Sequence, residues 1–124
     1  MAVPILKQGP FLIATIQAAL TDRDVLQLRD DVMAQVTRHR SRGIIVDVTA
    51  LDVMDSFVSR SLQGMARMTR LRGAETVIVG IQPEVAFAMV QLGMSFEDVL
   101  TALDLEEGLA LLQRPRKEAG DGGG

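Results

Sequence analysis

The chain contains no cysteine, no tryptophan and no tyrosine, and a single histidine, His39. Without cysteine there can be no disulfide, no thiolate metal site and no thiol nucleophile. One histidine cannot build a multi-histidine zinc centre, so neither a metal nor a cofactor is expected. Four phenylalanines are the whole aromatic complement and the formal charge is −3. That leaves no platforms for stacking bases and no overall attraction to phosphate backbones, so nucleic acid is not an expected partner. Long apolar runs are absent too. None approaches the roughly 18 residues of a membrane span, which removes a membrane from the expected partners. The opening "MAVPILKQGP" lacks the basic start and extended apolar stretch of a secretory signal, so a cytoplasmic location is expected.

What the chain does have is apolar bulk: 48% of its 124 residues. That is enough for one domain with a single core packed by Val, Ile, Leu, Met and Ala. "VPILKQGPFLIATI" reads as two short strands joined at Gln8-Gly9-Pro10, with Pro4 marking the first as an edge strand. In "TDRD", Thr21 is placed as an N-cap and Asp24 as its capping-box partner. Val25, Leu28, Val32 and Val36 then recur at helical spacing, which predicts a helix over 21–42 closed by the cations Arg38, Arg40 and Arg42 and by Gly43 at C′. "GIIVDV" and "ETVIVG" are short, continuous and β-branched, as strands buried on both faces are.

Between those two strands, Val58, Leu62, Met65 and Ala66 predict a helix from about Ser56 to Arg72. Pro83 suits the first turn of a third helix, "PEVAFAMVQL", closed by Gly93. "DVLTAL" can hold a last strand and "LEEGLALLQ" a last helix stopped by Pro115. The order β-β-α-β-α-β-α-β-α implies an α/β domain with a mixed, mostly parallel sheet, an opening hairpin and about four helices. Residues 1–113 form that domain, and 114–124, ending in the apolar-poor "RKEAGDGGG", are expected to be a disordered tail.

In sheets of this kind, function gathers beyond the carboxyl ends of the strands. The two loops there are "TALDVMDSF" and "GIQPEVA". Ser56 stands at the corner of the first, where a helix start favours negative charge. Asp55 or Ser56 can serve simply as the helix cap. A serine nucleophile lacks its support: Met54 and Val58 replace the glycines of a nucleophile elbow, and His39 sits among arginines at the end of another helix. A phospho-acceptor pocket of Asp47, Asp52 and Asp55 lacks the acidic pair after a first strand and the lysine after a last one. No phosphate-binding G-x-x-x-x-G-K-[ST] loop is present. No catalytic constellation is left, and the chain is not expected to be an enzyme. What is left is a hydroxyl that another protein can phosphorylate, adding about −1.5 to −2 charges.

A hairpin, a long first helix, an apolar strand and "MDSF" opening the second helix resemble the STAS domain family, the fold of anti-sigma-factor antagonists, over residues 3–113. "MDSF" together with "GIQPEVA", and no further N-terminal domain, resembles the RsbS-type stressosome scaffolds of that family. The resemblance implies a non-catalytic scaffold that assembles with itself and with RsbR-type STAS proteins. It implies sequestration of an RsbT-type serine/threonine kinase, release when the scaffold serine is phosphorylated, and resetting by a PP2C-type phosphatase. The matching acceptor is Ser56, with Met54, Asp55, Phe57 and Gln82 expected to border the kinase-docking surface. Ser59 and Ser61 remain as alternative acceptors should the helix begin later. A simple antagonist that binds an anti-sigma kinase directly, outside a stressosome, uses the same serine. A nucleotide-binding module at the same crevice is a third reading, without a phosphate loop to support it.

Overall fold

In the computed structural model, residues 2–93 and 99–115 are described. Strands β1 (Ile5–Gln8) and β2 (Phe11–Thr15) pair antiparallel with Gln8 opposite Phe11, leaving Gly9-Pro10 as a two-residue turn. Gly9 takes φ 59°, the sign a type II′ turn requires at its first central position. Pro4 accepts from the Thr15 amide at 3.2 Å but has no N–H to return, so the ladder stops there and β1 is an edge strand, as proline placement implies.

Helix α1 spans Asp22–His39, and its capping box is complete: the Asp24 amide donates to Thr21 Oγ1 at 3.1 Å and the Thr21 amide to Asp24 Oδ2 at 3.0 Å. The helix ends earlier than the cations and glycine suggest. Arg40, not Gly43, takes the left-handed cap conformation at φ 50°, at a cost of about 1 kcal/mol for a residue with a Cβ. Gly43 instead opens strand β3 (Gly43–Asp47), where a Cβ would lie 2.8 Å from the Leu112 methyls and 3.1 Å from the Phe11 ring. Close packing of the last helix, rather than helix termination, is what calls for glycine at that position.

Helix α2 (Ser56–Leu71), strand β4 (Glu75–Val79), helix α3 (Pro83–Gln91), strand β5 (Leu100–Ala102) and helix α4 (Leu105–Gln113) complete the order read from the sequence. The five strands run β1-β2-β3-β4-β5 in space, with every pair after the hairpin parallel. Because side chains alternate across a strand, each central strand feeds two cores. On one face Leu12, Ala14, Ile44, Val46 and Ile78 meet α1, α2 and α3 through Val25, Leu28, Val32, Leu62, Met65, Val85 and Met89. On the other, Ile13, Ile45, Val77 and Val79 meet Leu109, Leu111 and Leu112 of α4. Gly108 lets α4 approach closely, since a Cβ there would lie 2.8 Å from Val79.

Arg114, just past α4, pairs with Glu75 at 3.7 Å. The expected disorder of the tail falls, from residue 116 onward, outside the described residues. Among the described residues no helix is long and apolar enough to cross a membrane.

Candidate functional site

Register places the candidate site. β3 and β4 are neighbours with Asp47 opposite Val79, so the β3–α2 loop and the β4–α3 turn leave the sheet side by side. The ladder runs one step further, with the Val48 amide donating to the Val79 carbonyl at 3.0 Å. Asp47 then folds the chain over. Its Oδ1 accepts from the Thr49 amide at 2.9 Å and from the Thr49 hydroxyl at 2.6 Å, the side-chain-closed turn that Asp favours. Leu51 and Met54, 3% and 5% exposed, pin the loop into the core from below, while Asp52 and Val53 stay outside.

The β4–α3 turn is locked to this loop. Gly80 takes φ 80°, and a Cβ there would overlap the Thr49 hydroxyl. Gln82 occupies the N-cap position of α3 without capping it. Its side-chain amide donates instead to the Thr49 carbonyl at 2.7 Å, and Pro83 follows at the first helical position.

At the start of α2 the two candidate caps have separate fates. Asp55 is the N-cap: its Oδ1 accepts from the Val58 amide at 2.8 Å, and its carbonyl accepts the first helical bond from the Ser59 amide at 3.1 Å. Ser56 is the first helical residue, exposed, and its hydroxyl makes no hydrogen bond among the described residues. Phe57 is half-buried and packs against the larger core. Ser59 points inward at 1% exposure with its Oγ unpartnered, so it is not the exposed alternative that a later helix start would have made it. Ser61 is half-buried.

Of the residues singled out from the sequence, Asp55, Ser56, Phe57 and Gln82 thus lie on or beside two clamped loops at one pole. Met54 belongs to the core beneath them and can support the loop but offers a partner little surface. Two residues escaped the sequence reading. Thr49, the hub of the clamp, was signalled only by its spacing from Asp47; Val53, 67% exposed, is an apolar side chain at the loop surface. Among the described residues no group of three or more His, Asp or Glu side chains is placed to hold a metal ion.

Residues 2–108 match the STAS domain family, and the chain belongs to it. RsbS of Moorella thermoacetica, solved as a serine-to-glutamate variant, is 33% identical, with 90% of this chain and 94% of that one covered and a TM-score of 0.78. A chain from a structure of the stressosome is 34% identical over 89% of this chain and 96% of its own, with a TM-score of 0.74. The RsbT co-antagonist protein RsbRA of Bacillus subtilis is 30% identical over 98 residues, 79% of this chain. This chain spans only about a third of the length of that relative (34%).

Proposed function

We propose that this STAS domain is a non-catalytic, cytoplasmic stressosome scaffold and antagonist. It holds an RsbT-type serine/threonine kinase against the pole that carries Ser56, and releases it once the kinase has phosphorylated that serine. Transfer moves the γ-phosphoryl group of ATP onto Ser56 Oγ, with ADP leaving and the hydroxyl proton passing to the kinase. RsbR-type STAS proteins are the assembly partners, and a PP2C-type phosphatase restores the hydroxyl.

The observation that carries this reading is the division of labour at the start of α2. Asp55 caps the helix, so the adjacent hydroxyl of Ser56 is exposed and uncommitted. The first turn of α2 contains no acidic residue, whereas α1, α3 and α4 each have at least one there. A phosphate on Ser56 therefore meets the positive end of a helix without a carboxylate in that turn, and Arg60 lies one turn on. Asp52 and Asp55 oppose it. The backbone underneath is held by the Gln82–Thr49 clamp, so the added charge changes the field of the docking surface formed by Asp55, Phe57 and Gln82 without refolding it. The likeness to a stressosome chain and to RsbS supports the scaffold reading, and the name of the RsbRA relative supports an RsbT-type kinase as the target.

The test is kinase binding by the wild type, Ser56→Ala and Ser56→Asp in the presence of an RsbR-type partner. The alanine form should hold the kinase and the aspartate form should lose it. Equal binding by all three would reduce the claim to an interaction domain of unknown partner. Particle size is read in the same experiment. Megadalton assemblies are expected, and a complex that stays small would favour a simple antagonist acting directly on an anti-sigma kinase.

A further inference from the structure

Nothing in the fold calls for valine at position 53. The side chain belongs to neither core and stays 67% exposed, on a loop, where polar residues are the rule. Single exposed apolar side chains are common and carry no message by themselves. Leu6, 64% exposed on the edge strand β1, is one of these. Val53 differs in how it is held and in what stands beside it.

The loop that carries Val53 is fixed along its length. The Leu51 amide donates to the Val48 carbonyl at 2.9 Å, and Thr49 is tied to Asp47 on one side and to Gln82 on the other. Leu51 and Met54 are sunk in the core before and after the pair Asp52-Val53, which turns that pair outward. Asp55 then closes the loop by capping α2. Valine is also stiff at its one side-chain torsion, so a partner that covers it removes little further conformational freedom. Val53 is a preorganised contact, ready before any partner arrives.

Its position relative to the acceptor gives that contact a use. Val53 lies three residues before Ser56, a stretch of chain that spans at most about 11 Å. Phe57, half-buried, follows the serine directly, so the hydroxyl is bracketed by two apolar side chains. Asp52 and Asp55 are exposed on either side of the Val53-Met54 pair. The complement of this pattern is an apolar pocket rimmed by cations. We propose that Val53 is the specificity anchor for Ser56, the side chain that the kinase seats in such a pocket when it engages the serine. The inference rests on the reading of Ser56 as the kinase's acceptor.

Steady-state phosphorylation of the full chain by an RsbT-type kinase tests this, with an RsbR-type partner present, ATP saturating and the chain's concentration varied. Val53→Ser should raise KM about tenfold, the effect of losing one buried valine contact, and leave kcat unchanged. Its melting temperature should match that of the wild type, because the valine packs against neither core. Val53→Ile keeps the apolar contact and should restore a KM close to the wild-type value. Leu6→Ser is the control: it removes a similarly exposed apolar side chain far from Ser56 and should leave KM as it is.

An unchanged KM for Val53→Ser, or an equal rise for Leu6→Ser, would overturn the proposal while leaving Ser56 as the acceptor. A fall in kcat at unchanged KM would overturn it as well, since Val53 would then act on the transfer step and not on docking. A lowered melting temperature for Val53→Ser would do the same by making the valine structural. Phosphate uptake by Ser56→Ala at the wild-type rate would remove the acceptor itself, and the anchor with it.

Discussion

The side-chain amide of Gln82 reaches the carbonyl oxygen of Thr49, thirty-three residues earlier, at 2.7 Å. This bond ties the β4–α3 turn to the loop that delivers Ser56. A hydrogen bond of this kind is worth about 1 kcal/mol. Gln82→Ala should therefore lower stability by about that amount, and hydrogen exchange should quicken selectively across residues 49–54. Uniform exchange, with no local change, would show that the loop is held by Leu51 and Met54 alone.

Gly80 makes the same junction intolerant of a side chain. Gly80→Ala forces a Cβ into both a positive φ and the space of the Thr49 hydroxyl. The left-handed backbone costs about 1–2 kcal/mol and the overlap about 1–3 more, so a loss of roughly 2–5 kcal/mol is expected in urea denaturation. Gly9→Ala serves as the control: it also has positive φ, but nothing lies within 4 Å of its added Cβ, and it should lose only the backbone part.

The strands, the hairpin turn, the capping box of α1 and the order of elements were legible because each rests on local chemistry: β-branched runs, a Gly-Pro turn, a Thr–Asp spacing of three. The end of α1 was misplaced because arginine is a poor candidate for a left-handed cap and Gly43 a good one. The real demand on Gly43 comes from Leu112, nearly seventy positions away, which no local pattern announces. The site divides in the same way. Ser56 at a helix start could be read from its neighbours, whereas the burial of Met54 and the Gln82–Thr49 clamp depend on β3 and β4 lying side by side.

Ser59 carries a buried hydroxyl without a partner, which leaves a desolvated dipole uncompensated. Ser59→Ala should be neutral or stabilising by up to about 1 kcal/mol in chemical denaturation. It should leave phosphate incorporation unchanged, as mass spectrometry of the kinase-treated protein would show. A fall in incorporation for Ser59→Ala, with Ser56→Ala unaffected, would move the acceptor to Ser59.

Asp55 and Ser56 are adjacent but do different work, and stability separates them. Asp55→Ala removes the bond to the Val58 amide and should cost about 1 kcal/mol, whereas Ser56→Ala removes an exposed hydroxyl and should stay within about 0.5 kcal/mol of the wild type. Ser56→Asp places a carboxylate at the first helical position, where the helix end favours it by about 0.3–1 kcal/mol at low salt, offset by Asp52 and Asp55 close by. Its melting temperature should therefore be equal to or slightly above that of the wild type even as kinase binding is lost. That pairing of intact stability with lost binding is the signature of a change in surface field. A clearly lowered melting temperature, or a displaced 52–60 loop in a crystal structure of Ser56→Asp, would mean that the switch works by rearranging the loop.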